Sequence, residues 1–179
     1  MGTMNKVVLV IGSLVLTSLA AGCDPGPFNV SVFLDDKDAG LRDKIGAVKS
    51  IEVDFIGVNE SELERWKQMS INSYWEPDNA IRAGAKKHVM TFGQRTLEKQ
   101  VLLKKDLIWN TWIKDRGAEY LVVIAYLPWI QKDQPGEADP RRVILPLKMS
   151  KWEWSAWGED TIPIQVGSGG MTLLRPYKK

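Results

Sequence analysis

Short apolar segments with a period of two, separated by turns rich in Gly, Pro and Asp, constrain the fold of this chain most. Residues 50–58 read SIEVDFIGV, where apolar residues alternate with Glu52 and Asp54. Successive side chains of a strand point to opposite faces, so this pattern predicts a half-buried β-strand. Residues 119–127 form a nearly continuous apolar run that Pro128 ends. Their length and β-branched content favour a central strand buried on both faces.

The remaining strand predictions come from the same pattern. Residues 28–34 and 142–147 read as single strands, and Pro146 places the second at an edge or a strand end. Residues 88–103 and 161–174 each contain two apolar segments around a Gly-containing turn. Both are predicted to be β-hairpins.

Two segments change to the helical period. In residues 59–66, NESELERW, Ser61 and Glu64 match the capping box that begins a helix. A second helix is predicted to begin at Asp106 and to end at Gly117. Residues 71–87 are predicted to be a loop. The order predicts a mainly β fold, a two-sheet β-sandwich of about eight strands with two short crossover helices.

The N-terminus is predicted to be an export signal. Lys6 precedes an apolar run over 7–19, and small residues follow at 20–22. This order is typical of a secretory signal peptide, and the apolar run is shorter than the roughly 20 residues of a membrane span. We therefore divide the chain into a signal peptide over 1–22, a tether over 23–27 and a single sandwich domain over 28–179.

Cys23 is the only cysteine, so no disulfide framework is available. The residues around it, LAAGC, resemble the bacterial lipobox, although Leu19 lies one position further from the cysteine than that pattern favours. The resemblance implies that Cys23 is acylated and becomes the mature N-terminus, anchored without a transmembrane helix. Asp24 resembles an inner-membrane retention signal of enteric bacteria. The predicted location is therefore the cell membrane or the outer membrane, facing the periplasm.

Little in the sequence supports an enzymatic or a nucleic-acid-binding function. The only histidine, His88, starts a predicted strand beside Lys87, and no His/Cys cluster has zinc spacing. Removal of Lys6 with the signal peptide leaves 23 basic and 22 acidic residues, so the formal net charge falls from +2 to +1. A net charge this small does not indicate a nucleic-acid partner. We predict no catalytic residues, no metal and no cofactor.

Eight tryptophans are unusual for a chain of 179 residues. Those on predicted helix faces, Trp66, Trp109 and Trp112, are explained by core packing. Trp129, Trp152 and Trp157 fall in loops, where they either close the end of the sandwich or stack on sugar rings. A carbohydrate- or peptidoglycan-binding envelope protein is therefore the alternative function.

The order "SIEVDFIGVN", helix "ESELERW", hairpin and "AEYLVVIAYLP" resembles the small β-sandwich lipoprotein of bacterial type VI secretion systems. The resemblance covers roughly residues 28–127. It implies a transthyretin-like sandwich that tethers an envelope protein partner. The loop over 36–49 would be the contact, through Lys37, Asp38, Leu41 and Arg42. We expect that deletion of residues 38–46 abolishes partner binding and leaves the fold intact.

Overall fold

The computed structural model describes residues 25–148 and 161–174. They form two four-stranded sheets, which confirms the predicted sandwich. The strands are β1 (Asn29–Leu34), β2 (Ile51–Val58), β3 (Lys87–Phe92), β4 (Gln100–Leu102), β5 (Tyr120–Ala125), β6 (Arg142–Pro146), β7 (Thr161–Gly167) and β8 (Gly170–Leu173). Sheet I has the order β4-β1-β7-β8, and sheet II has the order β3-β2-β5-β6.

Strand pairing confirms one predicted hairpin and corrects the other. β7 and β8 pair antiparallel with Gly167 opposite Gly170. The predicted hairpin over 88–103 is wrong, because β3 pairs with β2 in sheet II and β4 pairs with β1 in sheet I. The turn at Gly93–Thr96 forms only an isolated bridge, beyond which the chain crosses from one sheet to the other. β1 and β7 pair in parallel, whereas the other strand pairs are antiparallel.

The helical content exceeds the two predicted helices. The first is α1 (Glu60–Gln68), whose N-cap is Asn59, not the predicted Ser61, since the Asn59 carboxamide oxygen accepts from the Glu62 N–H at 3.0 Å. The predicted loop 71–87 contains α2 (Ile71–Tyr74) and α3 (Ala80–Gly84), capped by the side chains of Ser70 and Asn79. The fourth α-helix is α4 (Ile108–Asn110), which continues as a π-helical turn over Thr111–Asp115. Asp106 does not cap α4; its carboxylate accepts from the Leu103 N–H.

Hydrophobic side chains fill the space between the sheets and also cover the outer face of sheet II. Val30, Phe55 and Ile164 belong to the core between the sheets. Ile56 and Ile124 lie on the other face, under α1–α3. The prediction that β5 is buried on both faces is therefore confirmed, because its residues contribute to both clusters.

Gly57 allows the π-helical turn to approach sheet II closely. A Cβ atom at Gly57 would lie 2.3 Å from the Cβ atom of Trp112, a separation that real side chains do not tolerate. The Trp112 ring is fully buried, and its Nε1 donates to the Lys86 carbonyl at 2.6 Å. The predicted core role of the helix tryptophans is thus confirmed for Trp112.

The connections divide between two ends of the sandwich. The loop end holds the β1–β2 loop, the turn after β3, the segment 126–141 and the β7–β8 turn. The N-terminal end holds residues 25–28, the start of α1 and the segment 103–119. This division follows from the strand directions, since β1 runs from the N-terminal end toward the loop end.

Candidate functional site

The β1–β2 loop, residues 35–50, is held against the β7–β8 turn. Asp38 accepts hydrogen bonds from the Gly40 N–H at 2.8 Å and from the Ser168 hydroxyl at 3.0 Å, and the Ser168 N–H also donates to its carboxylate. The Ser168 backbone and hydroxyl donors lower the pKa of Asp38. These bonds connect positions 130 residues apart in sequence, so the loop is fixed by tertiary contacts.

Trp129 and Lys49 add a second anchor to the same loop. The Trp129 Nε1 donates to the Ser168 carbonyl at 2.7 Å. Lys49 places its ammonium 4.5 Å from the Trp129 ring centroid and donates to the Gly40 carbonyl at 2.8 Å. A cation over an aromatic ring is a favourable contact. Trp129 therefore joins three segments of the loop end, and Lys49 covers one face of its ring.

The tip of the loop presents Ile45, which is 88% exposed. The Asp43 carboxylate accepts from the backbone N–H groups of Ile45 and Ala47, both at 2.9 Å. Gly46 has φ +81°, a conformation that favours glycine, and its carbonyl accepts from Arg42 at 3.0 Å. The tip is thus an ordered turn with one large aliphatic side chain directed to solvent.

The four predicted contact residues of the loop have different surroundings. Lys37 and Arg42 are exposed, and Asp38 holds Ser168. Leu41 is only 2% exposed and belongs to the core, so it is unavailable to a partner in this structure. Deleting residues 38–46 would remove a core side chain and the Asp38 anchor, so we now expect this deletion to disturb the fold as well as partner binding.

Sequence reasoning missed Ile45. Its signal is a single large aliphatic residue in a run of charged residues, followed directly by glycine. Beside the loop lies a hollow of about 90 Å³ lined mainly by Leu34, Leu41, Val48 and Leu97 together with acidic side chains. The loop end therefore offers both an exposed apolar side chain and a small apolar recess.

A second aromatic surface surrounds Trp75, between α2 and β5. The Trp75 ring lies 5.1 Å from the Tyr126 ring, and the Arg82 guanidinium lies 4.3 Å from its centroid. With Pro77 and Pro128 these rings line an open hollow of about 290 Å³. The Trp75 Nε1 is buried and has no hydrogen-bond partner among the described residues.

Buried charges support this surface from below. Asp54 is fully buried on β2 and accepts from the Tyr74 hydroxyl at 2.8 Å and from the Arg82 Nε at 3.0 Å. Arg82 also pairs with Glu52. Burial and the Asp54 charge raise the pKa of Tyr74 above its usual range. These contacts join α2 and α3 to sheet II, so the side chains that make them have a structural role.

Another buried network holds the segment 126–141. Arg141 donates to Asp139 at 2.8 and 2.9 Å and to Asp133 at 2.5 Å. Arg142 donates to carbonyl groups at the end of α1, including that of Lys67 at 2.5 Å. A charged donor near the C-terminus of a helix satisfies carbonyls that lack partners within the helix.

The remaining predicted residues carry no catalytic arrangement in the part of the chain that the structure describes. His88 packs against Phe55 with ring centroids 5.9 Å apart, and burial lowers its pKa.

Residues 25–148 and 161–174 contain no group of three or more His, Cys, Asp or Glu side chains that could hold a metal ion. None of the helices within these ranges is long and apolar enough to cross a membrane. Cys23, Trp152 and Trp157, together with the signal peptide, lie outside the described residues.

No protein-family model and no curated protein matches the sequence. Among solved structures, a chain of a type VI membrane complex has 15% identity and a TM-score of 0.51, over 83% of this chain and 98% of the other. Lip of Serratia marcescens, a membrane-bound component of the type VI secretion system, has 17% identity and a TM-score of 0.48, over 83% and 98%. The type VI lipoprotein TssJ1 of Pseudomonas aeruginosa has 13% identity and a TM-score of 0.44, over 86% and 99%. The chain therefore shares its fold with a component of a type VI membrane complex, the fold that the sequence resemblance implies.

Proposed function

We propose that this protein is a lipid-anchored, periplasm-facing accessory protein that binds and tethers another envelope protein, as a type VI secretion lipoprotein. The shared fold and the lipobox-like sequence at Cys23 support the proposal. The observation that carries it is the ordered β1–β2 loop, which presents Ile45 to solvent.

The loop has the physical properties of a protein-binding anchor. Its conformation is already held by Asp38, Asp43 and Lys49, so binding costs little conformational entropy. Ile45 offers apolar area that a partner can bury, and the neighbouring Arg42 and Lys44 supply a charged rim. The partner surface is expected to be an apolar recess with acidic residues at its edge.

We infer that the protein acts by binding and not by catalysis. The buried carboxylates Asp54 and Asp139 are paired with arginines that join segments of the fold. Asp38 likewise accepts three hydrogen bonds that hold the loop. Asp54 and Asp139 are fully buried, so they lack the access to a substrate that general acid–base chemistry requires.

The substitution Ile45→Asp tests the proposed contact. The probe is the periplasmic domain of the inner-membrane type VI component from the same bacterium, and binding is measured by biolayer interferometry. We expect Ile45→Asp to weaken binding at least about tenfold, because it places a charge where apolar area is buried.

The matched control is Ala83→Asp, which adds the same charge at an exposed position on α3. Thermal unfolding of both variants checks that the fold is retained. Absence of binding by the wild-type chain contradicts the proposed function. Equal binding by wild type and Ile45→Asp would exclude the β1–β2 loop as the contact.

Glycan binding is the alternative, and one observation favours it. The hollow beside Trp75 and Tyr126 is open, and these two rings line it together with Pro77 and Pro128. Trp129 supports it less, because its Nε1 already donates to the Ser168 carbonyl and Ser168 belongs to another segment of the fold. Titration with peptidoglycan fragments distinguishes the two functions, since sugar stacking on tryptophan perturbs its fluorescence and a protein tether gives no response.

A further inference from the structure

A short ordered turn at the N-terminal end exposes two leucines. The Leu103 N–H donates to the Asp106 carboxylate at 2.8 Å, and the Trp109 Nε1 donates to the Leu103 carbonyl at 2.9 Å. The buried Trp109 ring thus fixes the turn on the core. Leu107 is 81% exposed and Leu103 is 36% exposed. We call residues 103–107 the leucine turn.

The leucine turn lies beside the point where the chain enters the sandwich. The Lys104 N–H donates to the Asn29 side chain at 2.8 Å. The Phe28 and Trp109 ring centroids are 5.3 Å apart. The residues that lead into β1 therefore contact the segment that carries the exposed leucines.

The connection between Cys23 and the folded body is short. The Gly26 N–H donates to the Leu147 carbonyl at 3.2 Å, so the chain is bound to sheet II from Gly26 onward. Three peptide units separate Cys23 from Gly26, which limits their Cα atoms to a separation of about 11 Å. An acyl anchor on Cys23 would consequently hold the N-terminal end of the sandwich against the lipid headgroups.

The composition of the leucine turn suits such a surface. Lys104 and Lys105 are exposed between the two leucines. Lysines beside a membrane are attracted to anionic headgroups, while exposed aliphatic side chains gain by entering the interface. The acidic residue of the turn, Asp106, already accepts the Leu103 N–H.

We propose that the leucine turn rests on the anionic phospholipid surface beside the acyl anchor, with Leu107 inserted among the headgroups. The loop end and Ile45 then point away from the membrane, toward a partner. The inference rests on the acylation of Cys23 in the proposed function.

Site-specific fluorescence quenching tests the orientation. Leu107→Cys and Ile45→Cys are made in the full chain, which is isolated with its lipid from bacterial membranes. Both variants are labelled with an environment-sensitive fluorophore and reconstituted into vesicles of phosphatidylethanolamine and phosphatidylglycerol. An acylated Cys23 does not react with the label, so the introduced cysteine is the only target. Lys105→Cys serves as a second position on the turn.

We expect iodide to quench probes at 107 and 105 several-fold less than the probe at 45, and spin-labelled lipid to quench them more. Equal iodide quenching at 107, 105 and 45 in acylated protein would overturn the orientation and leave the anchor intact. Labelling of Cys23 in the wild-type chain, together with a lipid-free N-terminal peptide in mass spectrometry, would overturn both the acyl anchor and the orientation of the leucine turn. Partner binding through Ile45 is measured in a separate experiment. A loss of partner binding can therefore be distinguished from a wrong orientation on the membrane.

Discussion

At the scale of single residues, buried charged side chains hold the segment 126–141 in place. Asp139 is fully buried and Arg141 is 2% exposed, yet their charges are paired and hydrogen-bonded. Arg141 also donates to the Ile130 carbonyl at 2.8 Å, so one side chain holds several parts of the segment 126–141. A buried ion pair adds little net stability over an apolar pair, but removing one partner leaves an uncompensated charge.

We predict that Asp139→Asn lowers the free energy of unfolding by about 3 kcal/mol at neutral pH. Burial acts to raise the pKa of Asp139, but the hydrogen bonds from Arg141 outweigh it and the pKa is lowered. The unfolded chain therefore takes up the proton first, and this stabilisation is present above about pH 4 and is lost as the pH falls through the folded pKa. Urea unfolding at pH 7 and pH 3 should show a smaller pH dependence in the variant.

The control for this experiment is Asp36→Asn, at an exposed loop position. Its unfolding free energy should stay within about 0.5 kcal/mol of wild type. An Asp139→Asn variant with unchanged stability and unchanged pH dependence would show that the Asp139–Arg141 pair does not hold the loop.

At the scale of elements, the β1–β2 loop depends on an element far away in sequence. Its anchors are Ser168 in the β7–β8 turn and Trp129 in the segment 126–141. Because β1 and β7 are parallel neighbours, their C-terminal ends meet, and this places the β7–β8 turn beside the β1–β2 loop. The parallel pairing thus brings the Ser168 anchor to the loop that carries Ile45.

We predict that Asp38→Ala loosens the loop without unfolding the sandwich, because it removes the acceptor for Gly40 and Ser168. Amide hydrogen exchange over residues 39–47 should accelerate, while exchange in β2 and β5 stays slow. Lys37→Ala, at an exposed neighbouring position, is the matched control. Unchanged exchange over 39–47 would show that Asp38 does not order the loop.

At the scale of the whole molecule, the two ends of the sandwich suit two tasks. The chain enters at the N-terminal end, next to the leucine turn, while Ile45 lies at the loop end. The proposed anchor at one end and the proposed contact at the other match the arrangement that a tether between a membrane and a partner requires.

We predict that Cys23→Ser abolishes palmitate labelling and moves the protein from the membrane to the periplasmic fraction, since acyl chains supply the predicted anchor. The matched control is Asp24→Ser, which changes the neighbouring residue and should retain the label. Palmitate labelling of Cys23→Ser, or its persistence in the membrane fraction, would refute the assignment of the anchor.

The sequence by itself determined the elements whose signal is local. Alternation around Glu52 predicted β2, and the apolar run before Pro128 predicted β5. Both strands form and pair with each other, but the prediction that β2 is half-buried was wrong, because helices cover its outer face and Asp54 is fully buried. The prediction for 88–103 was wrong because the turn at Gly93 resembles a hairpin turn, whereas β4 pairs with β1. Local pattern indicates that a segment is a strand but carries no information on which strand it joins.

Only the tertiary structure decided the candidate site. Leu41 and Ile45 are two aliphatic residues of one charged loop, and the first is buried while the second is exposed. Ser168 reaches this loop through the parallel pairing of β1 with β7, and Trp129 reaches it from the segment that follows β5. Burial depends on contacts between segments that are distant in sequence. The sequence pattern therefore predicts the loop, but only the folded structure shows that Ile45 is its exposed aliphatic residue.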